Sequence, residues 1–374
     1  MQIGIIKSLK KILKEDLFIL TQIPIAAYPK ERKICLCSGS IRLTNDIHAE
    51  KVPFLNIFCL KQMFLLINTF ILICNWSRRN LNKNKIIICY NAFPFVSIPA
   101  VLASKIFNIR TICIFADPPI DSEKGNTIRR LAKYTENVSF TKYIKQFSGL
   151  IVLNEDSIRK YAPKLNYILI DGGFDVSETP INPPGGQWLN INGNDKLRIV
   201  FSGALVEYNG IKNLVSSLQY VKNTHISLEI YGLGPLEDYV INASQIDKRI
   251  KYMGNVPNSE MLKIQQNAGI LINPRPVNDR VSQYTFPSKM IEYLLSGTPV
   301  ITTKLNGLSI EYLNNVFAIN GEKPTDIAET IELVLTQDKE YLVQKATKAR
   351  EFIENEKSWD NHSYKIMEFI RSLI

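Results

Sequence analysis

Four side chains in the second half of this chain, and a fifth in the first third, have the types and placement of a site for an anionic substrate. Ser288, Lys289 and Glu292 share one face of a short helix inside FPSKMIEYLLSGTPVITT, because residues three and four apart are neighbours on a helix surface. Arg275 sits in NPRP, just past an apolar strand, where five N–H donors suit a diphosphate. Asp117 ends another apolar run directly before Pro118-Pro119, a place where a carboxylate can orient a hydroxyl or accept its proton; capping a helix is the structural alternative. Lysine and arginine beside a helix start can hold phosphates, and a carboxylate one turn deeper can accept both hydroxyls of a ribose.

Elements follow from the same stretch. Gly269 to Ile272 is an apolar strand, a polar loop with two prolines comes next, Pro287 is placed as the first helical residue, and Gly297 as the terminator before a strand at Pro299 to Thr303. The helix start near Phe286 to Lys289 is expected to face outward at a strand end. Upstream, Gly232-Leu233-Gly234-Pro235 closes another strand, where glycine admits close backbone approach by a ligand or simply makes a tight turn.

FPSKMIEYLLSGTPVITT, with GLGP before it, resembles the donor-site segment of retaining glycosyltransferases of family 4. These have the GT-B fold, and the resemblance is to the branch that builds bacterial capsular and exopolysaccharides. It implies an α/β protein of two Rossmann-like doubly wound domains facing a cleft. By resemblance the donor side comprises Gly203, Gly232, Gly234, Pro235, Arg275, Tyr284, Phe286, Pro287, Ser288, Lys289 and Glu292. Asn91, Asp117 and Asn154, each at the end of a strand, form the acceptor side, with Glu155 a weaker candidate. Three departures stand out. Tyr284 occupies the position of the family's first Glu, Ala204 that of an Arg, and Asn209 that of a Lys. Arg275 and Lys289, with Arg280 third, are the expected replacements for the missing charge.

The resemblance further implies a metal-independent hexosyltransferase-like enzyme with a nucleotide-diphosphate sugar as donor substrate and no cofactor. No His, Cys or carboxylate cluster has metal-ligand spacing. A non-catalytic nucleotide-sugar-binding homologue acting as partner subunit is the alternative. An epimerase on a related fold would need acid/base residues around the hexose that are not found.

Alternating strands and helices across 374 residues suit two domains. The expected division is 1–175 for the acceptor-side domain, 176–196 for a Pro- and Gly-rich linker and 197–357 for the nucleotide-sugar domain, and the resemblance implies that 358–374 is a last helix that returns to the first. Trp359, Tyr364, Ile366, Met367, Phe369 and Ile370 supply that helix with an apolar side. In the first domain Met1 to Leu13 has a helical pattern, so the family's opening strand and glycine-rich loop are either missing or reduced to Leu17 to Ile23.

Net charge is +10, and residues 1–90 hold fourteen Lys or Arg against five Asp or Glu. With no nucleic-acid motif beside that excess, a peripheral contact with an anionic membrane surface is expected and nucleic acid is not. The six cysteines lie in apolar runs without a CxxC pair and read as buried free thiols of a cytoplasmic protein at the inner membrane face, where a saccharide or lipid-linked saccharide acceptor would be met. Phe54 to Trp76 is the single candidate membrane span. Lys61 and Gln62 leave about 14 uninterrupted residues where about 20 are needed, so a buried or interfacial helix is expected. His48 is read as a surface residue in polar loop sequence.

Overall fold

A computed structural model describes residues 1–57, 60–116, 127–175, 183–189 and 196–374. The chain forms two compact units, Met1–Ile170 with Trp359–Ile374, and Asp171–Ser358.

The first unit begins with a helix, Gln2–Leu13, and five short strands: β1 Leu20–Thr21, β2 Cys35–Leu36, β3 Gly39–Thr44, β4 Ile47–Lys51 and β5 Phe54–Leu55. β1 pairs with β4 and not with the main sheet, so the Leu17 to Ile23 stretch is not the opening strand of a Rossmann sheet. β3 and β4 form an antiparallel hairpin over residues expected to be loop; His48, exposed as expected, lies on a strand opposite Arg42. The apolar segment that follows is a 20-residue helix, Leu60–Arg79. It starts later than the expected Phe54 and runs past Trp76, and by length and composition it could cross a membrane.

The main sheet of this unit is parallel, β6 Ile86–Tyr90, β7 Arg110–Phe115, β8 Gly149–Val152 and β9 Tyr167–Leu169, in the order 6-7-8-9. Every crossover steps in the same direction, so right-handed connections place all three crossover helices on one face. There Cys113, Phe115, Leu150 and Val152 pack against Ala100, Val101, Phe140, Ile144 and Ile158 of those helices. Successive strand residues point to opposite faces, so Ile112, Ile114, Ile151 and Ile170 look the other way. The helices Gln2–Leu13 and Trp359–Leu373 cover them, through Ile5, Leu9, Trp359, Ile366, Phe369 and Ile370. Tyr364 was expected among these and instead faces solvent, 69% exposed.

In the second unit six parallel strands run β10 Leu197–Ser202, β11 Ile226–Tyr231, β12 Ile250–Gly254, β13 Ile270–Asn273, β14 Val300–Thr303 and β15 Phe317–Ile319. Their spatial order is 12-11-10-13-14-15, which steps outward one way from β10 and then the other way from β13. β10, β11, β13 and β14 are buried at nearly every residue, as strands sandwiched between helices must be. Part of the expected linker belongs to this body: Gln187 N donates to Ala268 O (2.9 Å) and Trp188 Nε1 to Gly269 O (2.6 Å).

The cysteines divide. Cys74, Cys89 and Cys113 are buried, and burial pushes the Cys89 thiol up to about 12; Cys35 and Cys37 are exposed, against expectation, because β2 pairs only with the two-residue β5. Cys59 lies outside the described residues.

Candidate functional site

The order of the second sheet reverses between β10 and β13, and in doubly wound sheets the crevice at the carboxyl end of such a pair is where ligands sit. Gly203 follows β10, Arg275 follows β13, and beyond a short helix, Arg280–Tyr284, Lys289 and Glu292 lie in the first turn of the helix Lys289–Leu295.

Lys289 does not extend into solvent. Its ammonium donates to the carbonyl of Ser202, the last residue of β10, and lies 5.6 Å from the centre of the Phe201 ring. It rests against Gly203, where any Cβ would overlap it. Burial lowers the Lys289 ammonium to about 8, with Glu292 pulling the other way. The same burial raises the Glu292 carboxyl, opposed by Lys289 and by the Gln265 amide. A lysine and a glutamate three residues apart thus influence each other's charge near the end of the central strand.

Beneath them is a polar floor that sequence reasoning missed. Ser202 N donates to Tyr293 Oη (2.9 Å), Ser202 Oγ and Tyr293 Oη share a 3.2 Å hydrogen bond, and Gln265 Nε2 donates to Ser202 Oγ (3.3 Å). Burial holds the Tyr293 hydroxyl up at about 12, so it stays a neutral donor and acceptor. The only sequence signal for this floor is a tyrosine directly after Glu292 in an otherwise apolar row.

Arg275 is 7% exposed. Its Nε donates to Ser282 Oγ (2.8 Å) and its Nη2 to Thr285 Oγ1 (3.0 Å), while the guanidinium stacks 5.5 Å from the Tyr208 ring centre. Burial lowers its pKa and the nearby Asp279 works to raise it. Glu322 fixes the loop, accepting from the amides of Val277 (2.7 Å) and Asn278 (2.9 Å). Arg275 is therefore held by hydroxyls of its own loop, at a fixed place past β13.

Other expected residues have structural duties. Gly232 and Gly234 are required because their backbone packs onto the carbonyls of Gly203 and Leu205; a side chain at either would collide with backbone. Pro235 is exposed and Tyr284 half-buried. Phe286 and Pro287 are buried, which corrects the expectation that the whole turn faces outward: the Phe286 ring packs 5.4 Å from that of Tyr312, and only Ser288 is exposed. Met290 N donates to Pro287 O (2.8 Å), and Gly297, at φ +72°, ends the helix. Asn209 Nδ2 donates to Ala204 O (2.7 Å), so these two positions tie the loop to itself.

In the first unit Asn91 is buried at φ +60°, its Oδ1 accepting from Ala116 N (2.9 Å), and Asn154 caps the helix Glu155–Tyr161 by accepting from Asp156 N (2.8 Å). Glu155 pairs with Arg159 at the surface. Asp117 lies outside the described residues, and the Arg280 side chain likewise.

Residues 196–337 match the family model described as glycosyl transferases group 1. That segment is the second unit's sheet with its loops. No curated protein sequence matches the chain. Among solved structures it is similar to sucrose-phosphate synthase from Thermosynechococcus elongatus, at 13% identity and TM-score 0.70, over 99% of this chain and 92% of that one. Trehalose-6-phosphate synthase, solved to study glycosyl transfer with retention, matches at 10% identity and TM-score 0.69 over 99% and 96%. HepE of Anabaena, in complex with UDP and glucose, matches at 16% identity and TM-score 0.55 over 80% and 81%. The chain has the GT-B fold, built from two Rossmann-like units.

Proposed function

We propose that this protein is a retaining glycosyltransferase that moves a sugar from a nucleotide-diphosphate donor to a saccharide acceptor. The observation that carries the reading is the meeting of Lys289, Glu292 and Arg275 with the strand ends at the switch point of the second sheet. The glycosyl transferases group 1 match over that segment and the UDP and glucose held by the neighbour HepE support it.

Arg275 and the protonated Lys289 neutralise the diphosphate as the glycosidic bond to it breaks. Donors fixed in advance in a dry site contribute several kcal/mol to such a step, about 3–4 kcal/mol for one donor. Glu292 accepts the ribose hydroxyls. In the retaining reaction the departing diphosphate oxygen takes the proton of the attacking acceptor hydroxyl, with Asp117 orienting that hydroxyl. Metal independence follows if the two cations do the work of a divalent ion. The acceptor in this reading is a lipid-linked saccharide of surface polysaccharide synthesis, met by a cytoplasmic protein at the inner face of a bacterial membrane.

The test is to incubate the protein with a panel of nucleotide sugars and a membrane extract and to measure released nucleotide diphosphate. Release that depends on extract and is lost in Arg275→Ala is expected. Binding without release for every donor would favour the second reading, a partner subunit that binds nucleotide sugar without turnover. The neutral Ala204–Asn209 hydrogen bond, in place of two cations, is what favours that alternative.

A further inference from the structure

We propose that the outward face of the helix Leu60–Arg79, with the loop 28–34 beside its start, docks in the plane of an anionic lipid surface. This stands apart from the transferase reading, since none of its residues belongs to the donor site.

The helix is apolar on its outer side as well as on its inner one. A surface helix normally buries its apolar stripe and shows polar residues to water. Here Thr69 and Ser77 are among the buried residues, whereas Leu60, Met63, Ile67 and Ile71, spaced by three, four and four, are all exposed, at 39–47%. Lys61 does not interrupt the stripe, because its ammonium turns inward over the Phe54 ring, 5.3 Å from the centre, and bonds the Ile25 carbonyl.

The stripe continues onto the preceding loop. Tyr28 N donates to Asn56 O (2.9 Å), Asn56 N to Ile34 O (2.7 Å), and Asn56 Nδ2 to both Ala26 O (2.8 Å) and Lys33 O (3.0 Å). Those bonds hold exposed Tyr28, Ile34 and Ile57 at the helix start.

Charge selects the occupant. Lys30, Arg32 and Lys33 are exposed in that loop, with no carboxylate within ion-pair distance among the described residues, and Arg78 and Arg79 are exposed at the far end. The sequence holds no Asp or Glu between Glu50 and Asp117. An apolar stripe about 17 Å long, from Leu60 to Ile71, with cations beyond both ends matches the acyl boundary and headgroups of an anionic leaflet. A second copy of the same face would bring cation against cation. Spanning is disfavoured because the opposite side packs into the unit, Leu65 beside Val52 and Phe54, and Ile73 and Cys74 in the core with Ala100 and Val101.

The experiment is cosedimentation of the full chain with vesicles of phosphatidylcholine alone or with about 30% phosphatidylglycerol. Binding to the anionic vesicles is expected, at least about tenfold weaker to neutral ones and at about 0.5 M NaCl. Ile67→Glu with Ile71→Glu should cut it at least about tenfold, since both apolar anchors become charges. Lys30→Gln with Arg32→Gln and Lys33→Gln should weaken it and flatten the salt dependence. Both sets alter exposed residues, and unchanged thermal melts and nucleotide affinity confirm that the units stay folded. The proposal is overturned by equal binding to neutral vesicles, by full binding of the glutamate pair, or by a dimer in light scattering that this pair abolishes.

Discussion

The two units are built on the same kind of parallel sheet and differ in one topological respect. In the second, strand order reverses between β10 and β13, the loops there diverge, and the gap receives Lys289, Glu292 and Arg275. In the first, strands follow one another as 6-7-8-9 with no reversal in the described sheet, and its strand-end asparagines are spent on backbone amides. Similar sheets therefore yield one crevice rich in functional groups and one rim whose asparagines, among the described residues, serve the backbone. A second consequence is coverage: the reversing sheet is clothed on both faces by its own crossovers, while the other borrows helices from both ends of the chain.

The largest test of that contrast is Trp359→Ala. Trp359 is 8% exposed against Ile5 and the bare face of the first sheet, and its truncation should cost about 3–5 kcal/mol. Chemical denaturation followed by signals from each unit should show the first unit melting early with nucleotide binding in the second preserved. Simultaneous loss of both would mean the units are not separable in stability.

Next comes Arg275→Ala, expected to lower nucleotide diphosphate release about 10²- to 10³-fold with little change in melting temperature. A large melting shift instead would assign Arg275 to loop scaffolding through Ser282 and Thr285. Glu292→Gln should weaken nucleotide binding about ten- to a hundredfold, as loss of hydrogen bonds to a charged acceptor does. Calorimetric titration that shows no change would remove the ribose contact.

Lys289 gives the contrast a pH signature. Its ammonium loses a proton near pH 8 in the free protein, and a diphosphate binds only the charged form well. Donor affinity should hold below pH 8 and fall by up to about tenfold per pH unit above it, because binding must then take up a proton. Lys289→Met should flatten the profile. The sign for folding is opposite: an unfolded lysine, at 10.5, keeps its proton where the folded one has lost it, so this group makes stability rise from about pH 8 to 10.5. The smallest effect is Asn154→Ala, about 1 kcal/mol of stability from the lost helix cap with donor binding unchanged; a fall in turnover beyond that would restore Asn154 to the acceptor side.

Legibility in the sequence followed the same division. The central strands of the second unit are largely apolar because both faces are buried, β10, β11 and β13 are followed directly by glycine or proline, and Lys289 and Glu292 could be placed on one helix face by spacing. The inward fold of Lys289 could not, since it depends on the missing side chain of Gly203, 86 positions earlier, lying beside it in space. In the first unit the β3–β4 hairpin was overlooked. Its alternation of Ile41, Leu43, Ile47 and Ala49 with polar residues around Asn45-Asp46 is a half-buried strand pattern, but too polar to register as an apolar run. The expectation of buried Cys35 and Cys37 failed for the converse reason: apolar neighbours in sequence do not guarantee a covering layer when the pairing strand is two residues long.

Helix Trp359–Leu373 leaves the ribosome after the whole of the second unit, yet it covers Ile112, Ile114 and Ile151 of the first. During synthesis the nascent amino-terminal body carries a greasy, half-dressed sheet for some two hundred codons, a window in which chaperones and neighbouring nascent chains compete for it. Production of this protein should therefore be limited by the fate of that waiting surface, and supplying the last helix as a separate peptide in trans should rescue a chain that stops at residue 358.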